Sequence, residues 1–355
     1  MRIVYDVSPL SHPRTGVGNY VLGALRGIVE AGAHEIVAFA PASPGGRGQI
    51  ERALDGLDVE RALPTLPLAH PVRTAWSRLQ RPPVERFLGA LDVLHFSDWM
   101  FPPQRQGVRS TMVHDLVPLR FPQWTHRKTV RMHGAKYRHA AAACDVVMVN
   151  SDFTARDVEA LLAVPPAQLH TAYPGVDEVF TPDGERAELD RPFILSVATL
   201  EPRKNLATLL EAYRLLGSDS LALAVVGGEG WGEQPELDAP GVERLGFLSH
   251  DELSRWYRGA AVVVYPSRFE GFGMPVVEAM ASGVPVVASS HPSLDEACGD
   301  VAVRADPESA QELAAGIERA LAGRDELVRR GLEHARRFTW RACGEAHLRA
   351  WRAAA

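Results

Sequence analysis

Short apolar runs of strand length alternate with helical stretches from one end of this chain to the other, and few folds accept that pattern. It is the signature of an α/β protein with mostly parallel sheets. In the first half, strands are expected at 2–6, 35–40, 92–96, 110–113, 145–149 and 169–173. Helical stretches are expected at 18–31, 74–88, 126–143 and 152–162, with Ser151 as N-cap of the last. Between Pro174 and Pro192 the pattern weakens into Pro-Gly-Val-Asp, Thr-Pro-Asp-Gly and charged residues, the composition of a linker. A second alternation follows, with strands at 193–197, 221–226, 242–247, 262–265 and 284–288. Helices are expected at 205–216, 251–259 and 275–281, and over most of the chain from 308 onward. Each half therefore reads as its own doubly wound unit, and a ligand between them would sit at the carboxyl ends of the strands. The expected division is 1–180 and 190–337.

Length and composition fit that reading. At ~150 residues per domain, 355 residues make two domains with sizeable cores. Hydrophobic residues at 46% and charged residues at 23% exclude disorder, collagen and coiled coil. Acids outnumber Lys plus Arg by 44 to 38, so no global basic field suggests nucleic-acid binding. Cys144, Cys298 and Cys343 lie far apart with no CxxC pair, so neither a disulfide framework nor a metal site is expected. The first residues read as a strand rather than a signal peptide, and no run approaches a membrane span of ~18 apolar residues. The expected compartment is the reducing cytosol, with contact at the inner face of a membrane left open.

The most informative stretch runs from Arg268 to Met280. Gly271 and Gly273 let the backbone approach a ligand, and Pro275 suits a helix start. Glu270 in the loop and Glu278, expected in the first helical turn, flank one loop–helix junction. Two such carboxylates suit the vicinal hydroxyls of a sugar or ribose. The same spacing also fits a helix-start acid at Glu278 and a solvated loop residue at Glu270. Upstream, Arg203-Lys204 follows the first strand of the second half, where a planar fork and a point charge could meet a diphosphate. Only three lysines occur against thirty-five arginines, so Lys204 is an improbable choice of cation.

The run Glu270-Gly-Phe-Gly-Met-Pro-Val-Val-Glu278 and onward to Val287 resembles the signature of the retaining glycosyltransferases of group 4, the glycogen synthase-like superfamily. The resemblance implies the GT-B fold: two facing Rossmann-like domains with an interdomain cleft, the last helix (about 339–355) completing the N-terminal domain. It implies that Glu278 holds the ribose. Glu270 and the amides of Gly271, Phe272, Gly273 and Met274 would contact the transferred sugar. Arg203 and Lys204, followed by Asn205, match the family's diphosphate cations. Gly227-Gly228-Glu229-Gly230 looks like its glycine turn. The loop Gly16-Val-Gly18-Asn-Tyr20 resembles another family element, whereas the dehydrogenase fingerprint GxGxxG fails at Val21. His114, in His-Asp-Leu-Val-Pro, resembles a family histidine near the transferred sugar, and Asp115 is carried over with it as a sugar or acceptor contact. His95 is a weaker candidate.

The implied activity moves a hexose from a nucleoside-diphosphate sugar, GDP-mannose favoured, to a hydroxyl of a glycan or lipid-linked acceptor in cell-surface polysaccharide or glycoconjugate synthesis. No cofactor or metal is implied, since no Asp-x-Asp occurs and the nucleotide sugar is a co-substrate. A nucleotide-sugar epimerase of the same shape and a transferase acting on a small natural product are the alternatives. One feature stands outside the family. From Leu116 to Cys144 there is no Asp or Glu, while Arg120, Arg127, Lys128, Arg131, Lys136 and Arg138 are interleaved with Phe121, Trp124 and Tyr137. That face is expected to suit anionic headgroups.

Overall fold

A computed structural model describes the chain except residues 14, 33, 98, 218–220, 231, 233–236 and 238. The first alternation gives β1 (Arg2–Asp6), α1 (Gly16–Glu30), β2 (Glu35–Phe39), α2 (Pro44–Ala53), β3 (Glu60–Ala62), α3 (Ala69–Leu79) and α4 (Glu85–Leu88). It continues with β4 (Val93–Phe96), β5 (Val108–Val113), α5 (Val117–Arg120), α6 (Arg127–Ala143), β6 (Val146–Val149), α7 (Asp152–Leu162) and β7 (Leu169–Thr171). The second gives β8 (Phe193–Val197), α8 (Leu206–Leu215), β9 (Ala222–Val226), β10 (Val242–Gly246), α9 (His250–Gly259), β11 (Val262–Tyr265) and α10 (Met274–Ala281). β12 (Val286–Ser289), α11 (Asp295–Cys298), β13 (Val303–Ala305), α12 (Ala310–Ala322), α13 (Arg324–Ala335) and α14 (Trp340–Ala354) complete it.

Two all-parallel sheets result, in the orders β3-β2-β1-β4-β5-β6-β7 and β10-β9-β8-β11-β12-β13. Every residue of β4, β6, β9, β11 and β12 is buried, as parallel strands covered by helices on both faces require. Edge strands β3 and β10 carry the exposed charges Glu60, Arg61, Glu243 and Arg244. In each sheet the order reverses once, between β1 and β4 and between β8 and β11, and such points are where open α/β sheets take ligands.

One unit comprises Met1–Leu119, Arg127–Gly175 and Thr339–Ala355; the other comprises Arg120–His126 and Val176–Phe338. This differs from a single cut at 180–190 in two respects. The stretch 176–192 is strapped to the second unit: the largely buried Arg258 donates to the carbonyls of Val179 and Glu185, and Ala187 N donates to Arg255 O. Segment 120–126 also joins that unit, where the Phe121 ring lies 5.2 Å from that of Phe269.

The helical stretch expected over 74–88 is two helices. α3 begins earlier, at Ala69, and ends where Gln80 turns left-handed (φ 53°) ahead of Pro82-Pro83. Short strand β13, not anticipated, extends the second sheet. The three cysteines are free and buried.

Helix α14 returns to the first unit and lies on α1. Its Trp351 is fully buried and donates to Ser110 Oγ at 2.8 Å. Glycines permit this close crossing. A Cβ on Gly27 would overlap the Trp340 carbonyl, and one on Gly344 would overlap the Gly27 backbone. Gly27→Val is therefore expected to destabilise the first unit by about 3 kcal/mol, the upper range for overpacking. Urea unfolding checks this; a wild-type midpoint would contradict the close packing of α1 on α14.

Candidate active site

In the second unit the loops after β8 and β11, the strands flanking the switch point, are laced together. Asn205, left-handed at φ 59°, donates through Nδ2 to the carbonyls of Pro266 (3.1 Å) and Pro307 (2.6 Å). Thr208 Oγ1 donates to Asn205 Oδ1 at 2.7 Å, and Arg268 N donates to Arg203 O at 2.8 Å. These bonds fix the turn Pro202–Lys204 that carries both cations.

The cations converge on one carboxylate. Lys204 Nζ donates to Glu270 Oε1 at 2.5 Å and to the Tyr265 hydroxyl at 2.9 Å. Arg203 Nη1 donates to Glu270 Oε2 at 2.8 Å and to Phe269 O at 3.0 Å, while its Nη2 meets Glu201 Oε1 at 2.9 Å. The hydroxyls of Tyr265 (2.9 Å) and Ser267 also donate to Glu270, and Glu270 N donates to Ser293 Oγ. Glu270 is thus a buried, multiply bonded anion rather than a solvated loop residue. Burial acts to raise its pKa, but Arg203 and Lys204 outweigh it and hold the carboxyl at about 2. Burial and Arg203 pull the Lys204 pKa down, opposed by Glu270. The paired geometry is that of an ionised couple.

Residues 271–274 give the backbone its shape. Gly273 precedes α10 at φ 100°, and a Cβ there would collide with Leu294. The Phe272 ring packs edge-on to Phe338 at 5.2 Å. Because α10 begins at Met274, Glu278 is its fifth residue and lies in the second turn. The expected first-turn position is therefore corrected, and a dipole-compensating role goes with it. Glu278 is buried and accepts a 3.1 Å bond from Tyr257 OH. Burial raises its pKa to about 7, against the lowering influence of His250 and the Tyr257 bond. His250 Nδ1 lies 2.7 Å from Asp177 Oδ2, and the Phe180 ring touches both His250 and Tyr257.

Gly227, at φ 152°, lies so close to Ala198 that a Cβ would overlap its carbonyl, and Gly230 is equally close to Leu200 O. The glycine turn thus packs on the segment leading to Arg203.

The remaining candidates belong to the first unit. Gly16 and Gly18 occupy the first turn of α1; open space surrounds the Cβ position of Gly16. The His114 ring meets Tyr20 of α1 edge-on at 5.0 Å. Burial, then Lys136, lowers its pKa to about 3, so the imidazole is neutral, and its Nε2 has no hydrogen-bond partner among the described residues. Asp115 closes its own turn: Val117 N donates to Oδ1, and the Tyr137 hydroxyl donates to its carbonyl. His95 is core, bonded through Nδ1 to Ser110 Oγ and stacked on Tyr5.

The expected basic–aromatic face over 116–144 is reduced. Lys136 is buried, its Nζ donating to the carbonyls of Met112 and Ser97. Tyr137 is buried, and Phe121 stacks on Trp124 and packs on Phe269. Arg127, Lys128, Arg131 and Arg138 of α6 stay exposed.

Sequence reasoning passed over Glu201, Tyr265, Ser267, Ser293 and Tyr257, which hold the site from behind. Tyr265 ends an apolar strand and Glu201 sits two residues before Arg203, but neither position carries a distinctive pattern. Among the described residues no group of three or more His, Cys, Asp or Glu could hold a metal ion.

The raised Glu278 pKa has a stability consequence. The folded chain keeps a proton that the unfolded chain releases near 4.5, so this stabilisation is complete below 4.5 and lost as pH rises through about 7. The full effect is on the order of 3 kcal/mol. Glu278→Gln, always neutral, is expected to flatten the fall of the thermal midpoint between pH 5 and 8. Equal slopes in variant and wild type would contradict the assignment.

Comparison with known proteins agrees with this architecture. The family description Glycosyl transferases group 1 matches residues 180–338, and Glycosyltransferase Family 4 matches residues 14–180. An O-antigen chain mannosyltransferase B of Escherichia coli is 27% identical, over 99% of this chain and all of its own length. A D-inositol 3-phosphate glycosyltransferase of Kribbella flavida is 32% identical over 60% of this chain and 57% of its own. Among solved structures, sucrose-phosphate synthase of Thermosynechococcus elongatus superposes with a TM-score of 0.72 at 18% identity, covering 99% of both chains. WaaG, a glycosyltransferase involved in lipopolysaccharide biosynthesis, gives 0.65 at 13% identity, covering 98% of this chain and 99% of its own. Two parallel Rossmann-like sheets, these superpositions and the two family matches from 14 to 338 lead to one conclusion: the chain is a glycosyltransferase of GT-B fold and belongs to group 4.

Proposed function

We propose that the chain transfers a hexose, with retention, from a nucleoside-diphosphate sugar to a hydroxyl of a glycan or lipid-linked acceptor in cell-surface polysaccharide synthesis. GDP-mannose is the favoured donor, in keeping with the O-antigen mannosyltransferase relative. The observation that carries the reading is the convergence of Arg203 and Lys204 at the switch point between β8 and β11. Both cations hang on the loop after β8, where their donors can take phosphate oxygens. Glu270 keeps them aligned beforehand, so little reorganisation is needed as charge develops on the leaving group.

Glu278 accepts the ribose hydroxyls. Glu270 and the backbone of Gly271, Phe272, Gly273 and Met274 face the hexose. The neutral His114 imidazole contacts the transferred sugar, with the amides of Gly16 and Gly18 contributing from α1 and Asp115 shaping the His114 loop. In the reaction the bond from the anomeric carbon to the diphosphate oxygen breaks, and a bond to the acceptor oxygen forms on the same face. The acceptor proton goes to a phosphate oxygen of the departing nucleotide. The products are the glycoside and the nucleoside diphosphate, and no metal or resident cofactor takes part. We place the reaction on the cytoplasmic side of a membrane, with the exposed cations of α6 drawn to its anionic lipids.

A thermal-shift panel of GDP-, UDP- and dTDP-sugars, followed by mass spectrometry with glycan acceptors, tests the reading. GDP-mannose is expected to raise the midpoint and NAD(H) to leave it unchanged. Glycosylated acceptor is the expected product. A donor isomerised without acceptor would favour the epimerase alternative. Lys204→Ala should lower turnover about a hundredfold or more, with a smaller loss of stability, because Arg203, Tyr265 and Ser267 still hold Glu270. Wild-type turnover in that variant, or complete loss of activity in excess chelator, would contradict the mechanism.

A further inference from the structure

Helix α3 is built inside out. Leu68 at its N-cap, then Val72, Ala75 and Leu79, recur at spacings of four, three and four, which makes one stripe along a helix. That stripe faces solvent. Leu68 is 68% exposed, Val72 45% and Leu79 66%, and Phe87 of α4 adds a side chain at 63%. Three of the four large apolar side chains exposed beyond 60% among the described residues therefore lie within twenty positions.

The opposite face of α3 is buried and carries two polar side chains beside Trp76. Arg73, 6% exposed, donates to Ser8 Oγ at 2.7 Å and lies 4.8 Å over the Trp99 ring. Buried Ser77 accepts from Phe101 N at 3.2 Å. An amphipathic helix of a globular domain ordinarily turns its apolar stripe to the core. Here the inner side is taken by the hydrogen-bonded Arg73 and Ser77 and by Trp76, which packs edge-on to Phe39, and the aliphatic stripe is left outside.

The surrounding charge is predominantly positive, with half-buried Glu85, which accepts from the backbone amides of Arg105 and Gln106, as the exception beside Arg86. From Arg61 to Val84 there is no Asp or Glu, and Arg78, Arg81 and Arg86 are exposed around the stripe. A second copy of the chain would bring like charges together. An anionic bilayer offers both an apolar boundary layer and negative headgroups. No helix among the described residues is long and apolar enough to cross a membrane, so the match is to an element lying in the interface.

We infer that α3, together with Phe87, is a membrane-interfacial element whose apolar stripe enters the headgroup–acyl boundary of an anionic lipid surface. None of these side chains is among the α6 cations or the residues assigned to sugar transfer, and lipid binding requires no donor.

Flotation of the full chain with vesicles of phosphatidylcholine, alone or mixed with phosphatidylglycerol, tests the inference. The wild type is expected to float with the mixed vesicles at low salt. A measurable fraction should remain bound at about 0.5 M salt, because apolar insertion is not screened. The combined variant Leu68→Ser, Val72→Ser, Leu79→Ser and Phe87→Ser alters exposed positions only. It is expected to keep its thermal midpoint and its turnover with a water-soluble acceptor while losing at least ~10-fold in vesicle affinity. Arg78→Gln with Arg81→Gln and Arg86→Gln should weaken the preference for anionic vesicles, the α6 cations retaining the remainder. Failure of the wild type to float would overturn the inference, as would wild-type affinity in the serine variant. A wild-type dimer by light scattering that the serine variant converts to monomer would instead assign the face to a second copy, and would overturn it too.

Discussion

A single carboxylate organises the second unit. Glu270 is gripped by Lys204 Nζ on one oxygen and by Arg203 Nη1 on the other, with Tyr265 and Ser267 donating as well. Its partners come from two loops that are far apart in sequence and adjacent only because β8 and β11 pair at the switch point. A buried ion pair of this kind is weak as a source of stability, because desolvation offsets the attraction. Its value lies in specificity: both cations are held in one geometry before any ligand arrives. Loss of Glu270 would leave two buried cations facing each other without their shared anion, so these residues act as a unit rather than as separate contributions.

The clamp also explains why the surrounding glycines and small residues sit where they do. Gly227 and Gly230 let one turn lie against the segment that feeds Arg203, and Gly273 lets the chain reverse sharply into α10. Asn205 supplies the left-handed residue between the cation turn and α8 and spends its amide tying that turn to the loop after β11. Glu278 lies behind this arrangement in a different environment, with one neutral donor from Tyr257 and little solvent. Two carboxylates eight positions apart thus have opposite tendencies, one held ionised and the other pushed toward protonation.

Much of this was legible in the sequence, for identifiable reasons. Parallel strands buried on both faces make continuous apolar runs such as 193–197 and 262–265, which stand out without periodicity. Ser151 was readable as a cap, and its Oγ accepts from Thr154 N at 3.0 Å. The run from Glu270 to Val287 is long enough to carry family information by itself. What escaped depends on tertiary placement. Lys136 looked like one more surface cation until its ammonium proved to be buried under two backbone carbonyls. Phe121 and Trp124 looked like lipid-facing aromatics, yet they stack on each other and Phe121 packs on Phe269 within the second unit. The stretch 74–88 reads as one helix, whereas the left-handed Gln80 ahead of Pro82-Pro83 ends α3 and a separate α4 follows.

The central claim is that the Arg203 and Lys204 side chains take the diphosphate while Glu270 aligns them. The most direct measurement is a crystal structure with the intact nucleotide sugar that most stabilises the chain. The account predicts phosphate oxygens within hydrogen-bonding distance of the Arg203 guanidinium and of Lys204 Nζ, at about 2.7–3.0 Å, with Glu270 still touching at least one of them. A diphosphate bound elsewhere, with the Glu270 clamp unchanged, would contradict it.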